Sequence, residues 1–269
     1  ANRASVHCKQ IMARDAALFE QPRVRFPLAV AHRKQGYPRQ AERYYLSTRR
    51  GRPRDAWWMC AEGEHWLANP EAESPKPILD CRMAAGKPRL DGRLIDPMWQ
   101  SCEQVTLSSP LNEDASWPAV VRLAYDREFL YIAASCREVP GVTYSDAKGP
   151  RPRDPDLSMQ DRVELYLDID RDWATAYRLV VDHRGWVAED CWGDATWNPT
   201  WYVAAYRAEG NWHVEAAIPW EELSAKPPQL REAWAVGVQR IVPGTGFQSW
   251  SKPAAPEVIM AGMGYLIFQ

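Results

Sequence analysis

Four tryptophans, Trp186, Trp192, Trp197 and Trp201, lie between positions 186 and 201 beside Gly193, Asp194, Asn198 and Pro199. An indole offers a flat apolar face with one hydrogen-bond donor at its edge, a combination suited to rings with polar rims. The same side chains would serve equally to pack a loop against a core. Asp168, Asp170 and Asp172 stand at alternate positions, a spacing that can present carboxylate oxygens to calcium. The glycine and glutamate of an EF-hand do not follow, and a solvated acidic strand end would look the same. Asp161 and Glu164 form a carboxylate pair of the type used in glycosidic acid–base chemistry, although acidic residues at strand ends are common. Cys191 and His183 would supply a thiol and a base, but nothing in the sequence orients them. For haem, His183, Met260, Met263 and Lys252 are the available axial ligands, without a CxxCH motif. Neither a Gly-rich phosphate loop nor a GxSxG elbow is present. The residues predict binding rather than catalysis, with calcium the one cofactor expected.

These residues sit in a chain of 269 residues that is 46% hydrophobic and carries 14 tryptophans. Its net charge of −2 hides an asymmetry: residues 1–78 carry 14 Lys/Arg against 8 Asp/Glu, and the remainder 19 against 27. Two units of opposite charge, docked on each other, are expected. The basic unit lacks the clusters interleaved with aromatics that mark nucleic-acid binding, and no run of about eighteen apolar residues suggests a membrane span. Cys8, Cys60, Cys81, Cys102, Cys136 and Cys191 include no CxxC pair, which argues against zinc. Their pairing stays open.

Residues 1–70 read as helical, 71–77 as a Pro- and Glu-rich linker, and 78–269 as β structure. In the first unit Gln40–Leu46 has apolar positions at helical spacing, followed by a helix from Asp55 to Leu67. In the last, Val163, Leu165, Leu167 and Ile169 alternate with Glu164, Tyr166, Asp168 and Asp170, the signature of a strand with one apolar face. Seven more runs follow the same rule: 121–125, 129–136, 176–182, 200–206, 212–218, 234–241 and 264–268. Hairpin-length gaps between them predict a mainly β, antiparallel sandwich with a small N-terminal helical segment.

Beyond periodicity, the order of motifs carries a resemblance. Leu90-Asp91-Gly92 through Pro97-Met98-Trp99, then Gln160-Asp161-Arg162-Val163-Glu164, then Val214-Glu215-Ala216-Ala217-Ile218-Pro219-Trp220 resemble the signatures of family 9 carbohydrate-binding modules. In the helical unit, Gly36, Ala41, Tyr45 and Pro53 resemble one tetratricopeptide hairpin. Such a hairpin cannot bury its own face and should pack on the β unit or on further helices.

The module resemblance implies a non-catalytic domain that clamps a terminal sugar between two tryptophans and bonds its hydroxyls with polar side chains. Three of those polar positions correspond to Glu164, Arg178 and Gln239. The clamp positions hold Ser158-Met159 and Pro256-Glu257-Val258 instead, which puts the usual sugar slot in question. Trp192, Trp197 and Trp201 are the expected replacement stacking surface, with Asp168, Asp170 and Asp172 as the calcium ligands. The expected partner is a saccharide or polysaccharide, outside the cell or in its envelope, with no nucleic acid and no membrane span. A second reading makes the sandwich, its clamp lost, a protein-interaction module of an envelope assembly that uses the N-terminal helices. A haem-binding sandwich is the third.

Overall fold

The computed structural model describes residues 2–50, 53–110 and 114–269. Five helices come first: α1 (Asn2–Arg14), α2 (Ala16–Phe19), α3 (Pro22–Lys34), α4 (Pro38–Arg49) and α5 (Ala56–Ala68). Their starts are written in the sequence. Pro22 and Pro38 open α3 and α4, where a missing N–H costs nothing. Asp15 and Asp55 cap α2 and α5, accepting from the amides of Leu18 at 2.9 Å and Trp58 at 2.8 Å.

The rest of the chain is β1 (Ile78–Met83), α6 (Pro97–Ser101), β2 (Val105–Leu107), β3 (Ala119–Tyr125), β4 (Phe129–Arg137), β5 (Arg162–Asp168), β6 (Tyr177–Asp182), β7 (Val187–Cys191), β8 (Tyr202–Ala208), β9 (Asn211–Pro219), α7 (Trp220–Leu223), β10 (Ala233–Val242), β11 (Gly246–Ser249) and β12 (Gly264–Phe268). The strands run in the order β7-β6-β5-β10-β12-β1-β3-β4-β9-β8, with β11 on β10 and β2 on β3. Every ladder is antiparallel except the two made by β1. Its first residues pair in parallel with β12, and Arg82 and Met83 pair in parallel with β3. One strand therefore hands the sheet over from one layer to the other, and the sheet curls onto itself. Val163, Leu165, Val214, Ile218, Trp212 and Trp234, drawn from both layers, meet in one core. Each such side chain contributes on the order of 1.5–3 kcal/mol on burial.

At the centre of that core sits a complete ion pair. Arg240 Nε and Asp161 Oδ1 are 2.9 Å apart, and both side chains are buried. Arg240 also donates to the carbonyls of Trp117 and Arg137, while Trp212 Nε1 and Tyr144 Oη donate to Asp161. Every nitrogen of the guanidinium and both carboxylate oxygens have a partner, the condition under which a buried charge pair is tolerated.

The helices pack on the outer face of the layer containing β10 and β12. Phe26, Ala29, Tyr45 and Ala61 share one cluster with Trp173, Ala235, Met263 and Tyr265. Contact is close enough that a Cβ built on Gly63 would fall 2.1 Å from Tyr265 Oη. Glu64 of α5, almost fully buried, accepts from Arg33 of α3 and from Arg171 of the β5–β6 connection. Lys34 reaches Asp170, and buried Lys76 donates to Ala261 O at 2.8 Å while lying 4.5 Å above the Trp173 ring.

Candidate functional site

Alternation along β5 turns Glu164 away from the core, towards the face that the helices partly cover. Register does the rest, because Glu164 lies opposite Gln239 on β10, and Arg178 on β6 lies opposite Tyr166. Glu164 Oε1 accepts from Arg162 Nε at 2.7 Å and Arg178 Nη2 at 3.0 Å. Oε2 accepts from Tyr166 Oη at 2.9 Å, Gln239 Nε2 at 3.0 Å and Arg178 Nε at 3.2 Å. Arg178 Nη1 continues to Asp190 of β7 at 3.1 Å. Burial alone would push the Glu164 carboxyl up; the guanidinium groups of Arg178 and Arg162 override it and hold it down at about 2.

The three polar residues of the family resemblance are thus brought together, with Glu164 and Gln239 buried and the Arg178 side chain 32% exposed. Glu164 is saturated. What remains open is the Arg178–Asp190 edge and Gln239 Oε1, which is buried and has no partner among the described residues. Both positions where the family places a stacking tryptophan border this cluster. Arg162 Nη1 donates to Ser158 O at 3.0 Å, and Gln239 Nε2 to Pro256 O at 3.2 Å. Met159 beside Ser158 is exposed.

The tryptophans are dispersed. Trp192 is 72% exposed and lies two residues beyond Asp190. Trp197 packs at 4.6 Å on Tyr177, and Trp201 is buried in the core. Those two lie on the opposite side of the sheet from Glu164, so the structure does not bring them to the polar cluster. The stretch 186–201 is also not wholly a loop: β7 occupies Val187–Cys191, too short and polar for its alternation to stand out.

The remaining motif residues are structural. Glu215, fully buried, accepts from the amides of Asp91 and Gly92 and from Trp99 Nε1, tying the first family signature to the last. Asp161 and Glu164 point to opposite sides of β5 and do not form a carboxylate pair. Burial pushes the Cys191 thiol up, assisted by Asp190 and Asp194, the reverse of an activated nucleophile. His183 Nε2 is occupied by Ser145 O at 3.0 Å, and Met263 is core. Asp190, Tyr166 and Arg162 complete the cluster. The alternation of β5 signalled Tyr166 and Arg162, whereas Asp190 lay in a strand that periodicity did not reveal.

Asp168, Asp170 and Asp172 converge, with ligand atoms within 4.8 Å of one another. Burial first, then the charges of Asp172 and Asp170, raises the Asp168 carboxyl well above its usual range, and Asp172 is raised in the same way. Crowded, desolvated carboxylates suit a divalent cation. Each also has protein partners: Asp168 accepts from the amides of Asp172 and Trp173, Asp172 from those of Ala174 and Thr175, and Asp170 pairs with Lys34.

A family model described as carbohydrate family 9 binding domain-like matches residues 90–243. Endo-1,4-beta-xylanase A of Thermotoga neapolitana is 29% identical over 182 residues, and that of Thermotoga maritima is 27% identical over 180. Each match covers 62% of this chain but only 16% of the xylanase. A family 9 carbohydrate-binding module from Caldicellulosiruptor kristjanssonii in complex with cellotriose superposes with a TM-score of 0.52 at 16% identity, over 72% of this chain and 94% of that one. The same organism's module in complex with glucose gives 0.51 at 17%, over 71% and 95%. Both establish the fold.

Proposed function

The chain belongs to the carbohydrate family 9 binding domain-like family, and from that membership we propose that it is a non-catalytic module that binds a saccharide at the outer-face cluster of Glu164, Arg178 and Gln239. The observation that carries this reading is the convergence of the three residues on one carboxylate, bordered by both clamp positions. Glu164 acts as the anchor. It fixes the Arg178 guanidinium, whose exposed edge donates to sugar hydroxyls, while Asp190 accepts from them. Without an aromatic pair at the clamp, Trp192 is the stacking surface nearest in sequence to this cluster, and Met159 offers a softer apolar contact. Trp197 and Trp201 support the sheet from behind.

Xylanases and modules bound to cellotriose and glucose among its relatives point towards plant-type β-glycans as ligands. A polymeric ligand of this kind would be met outside the cell or in its envelope. Calcium, held by Asp168, Asp170 and Asp172, would neutralise the crowded carboxylates behind Trp173 and stiffen the β5–β6 connection.

The test is a glycan array probed with the full chain, with calcium and again with chelator, followed by titration of the best glycan into Arg178→Ala. Selective binding that weakens at least tenfold in Arg178→Ala, with an unchanged circular dichroism spectrum, is expected. A blank array with folded protein would overturn saccharide binding. A melting temperature indifferent to chelator would remove calcium.

A further inference from the structure

Between β11 and β12 the chain leaves the sheet and closes on itself before returning. Lys252 N donates to Gly262 O at 3.0 Å, and the approach is so tight that a Cβ built on Gly262 would fall 2.8 Å from Lys252 O. Residues 253–261 are therefore a loop with pinned ends. Its later part is seated on α5, where Ala261 O accepts from Cys60 Sγ at 3.3 Å and from Lys76 Nζ at 2.8 Å. Its earlier part, residues 253–258, lies against β10 instead. Pro256 O accepts from Gln239 Nε2 at 3.2 Å, and Val258 sits on Gly237, where an added Cβ would fall 2.9 Å from Val258 Cγ1.

The two parts are held very differently. Ala261 is buried, whereas Pro253, Pro256 and Glu257 are exposed. Among the described residues the amides of Ala254, Ala255, Glu257 and Val258 have no backbone partner. A segment with so little burial and backbone bonding opens at small cost. What it covers is the reverse. Gln239 is 1% exposed, its Nε2 is divided between Glu164 Oε2 and Pro256 O, and its Oε1 has no partner among the described residues. A buried amide oxygen without a partner is unfavourable, and a hydroxyl would relieve it.

We propose that residues 253–258 are a displaceable strap over the saccharide site, with Val258 on Gly237 as its catch. Held down, the strap leaves the Arg178–Asp190 edge to the ligand. Lifted, it takes Pro256 O away and lets the Gln239 amide donate to and accept from one sugar hydroxyl. The inference rests on the outer-face cluster being the saccharide site. Because the lifted state is the competent one, the apparent dissociation constant is the intrinsic one divided by the lifted fraction, and weakening the catch tightens binding. That sign separates a strap from a wall, since loosening a wall of the site would weaken binding.

The experiment is calorimetric titration of cellotriose and xylotriose into the full chain and its variants. Val258→Ala, which trims the catch, should tighten binding of at least one of them by about threefold or more. Gly237→Ala, which wedges the catch from beneath, should act in the same direction, and Arg178→Ala should weaken binding. In the wild type the Gln239 side-chain amide resonances should shift saturably with the sugar, a readout that needs no variant to fold. Binding unchanged or weakened in folded Val258→Ala would overturn the strap, as would Gln239 resonances that stay still at saturation. If Arg178-dependent binding persists while these fail, only the strap falls. If neither sugar binds wild type or variants, the strap and the outer-face reading fall together.

Discussion

Two carboxylates three residues apart, Asp161 and Glu164, each hold a guanidinium and face opposite ways. Asp161 and Arg240 point into the core, where two carbonyls, an indole and a phenol complete their bonding. Glu164 points outward, where its own oxygens are saturated but the group as a whole is not. Arg178 is a third exposed, and Gln239 Oε1 has no partner among the described residues. The difference teaches how to separate a structural polar cluster from a binding one in a single sheet. Complete satisfaction with full burial marks the structural group, and spare bonding capacity at a solvent-facing edge marks the binding one.

The sharpest way to break the comparison is Asp161→Ala. It leaves the Arg240 guanidinium buried and unpaired, a change that costs about 3–5 kcal/mol. Urea unfolding should show a loss of that size, with sugar affinity retained wherever the protein stays folded. A loss under about 1 kcal/mol would mean that the inner pair is no more essential than an exposed one.

Gly63→Ala sharpens it from the helix side. The added methyl meets Tyr265 Oη in a contact that cannot be accommodated without shifting α5, at an expected cost of about 1–3 kcal/mol for overpacking. Because the helices share the outer face with the Glu164 cluster, the shift should also weaken saccharide binding several-fold. Unchanged stability by thermal melting would show that the helices are only loosely seated.

Much of this was legible in the residues. The alternation in 162–168 specified both the strand and which side chains leave the core, and helical spacing in Gln40–Leu46 signalled α4. The family signatures named Glu164, Arg178 and Gln239, and the three side chains meet because cross-strand register converts sequence motifs into neighbours. β1, β2, β7 and β11 were not legible. They are short, and β1 derives its pairing from strands far away in sequence, which no local pattern records. The tryptophan stretch misled for a related reason. Clustering in sequence says nothing about facing, and the turn at Trp192–Gly193 together with β7 sends Trp192 to solvent and Trp201 to the core.

The smallest effect concerns pH. The Glu164 carboxyl is held at about 2 in the folded protein against an ordinary value of 4.5. A depressed folded-state value contributes stability that is fully present above the unfolded value and is lost as pH falls towards the folded one. The window is therefore about pH 5 down to about pH 2. With Arg178 partly in water, the pair's contribution is discounted to about 1–2 kcal/mol. Glu164→Gln should lie below wild type by that amount at pH 7, and the gap should close as both are unfolded in urea at successively lower pH. A gap that stays constant down to pH 3 would mean that the carboxylate charge is not what fixes Arg178.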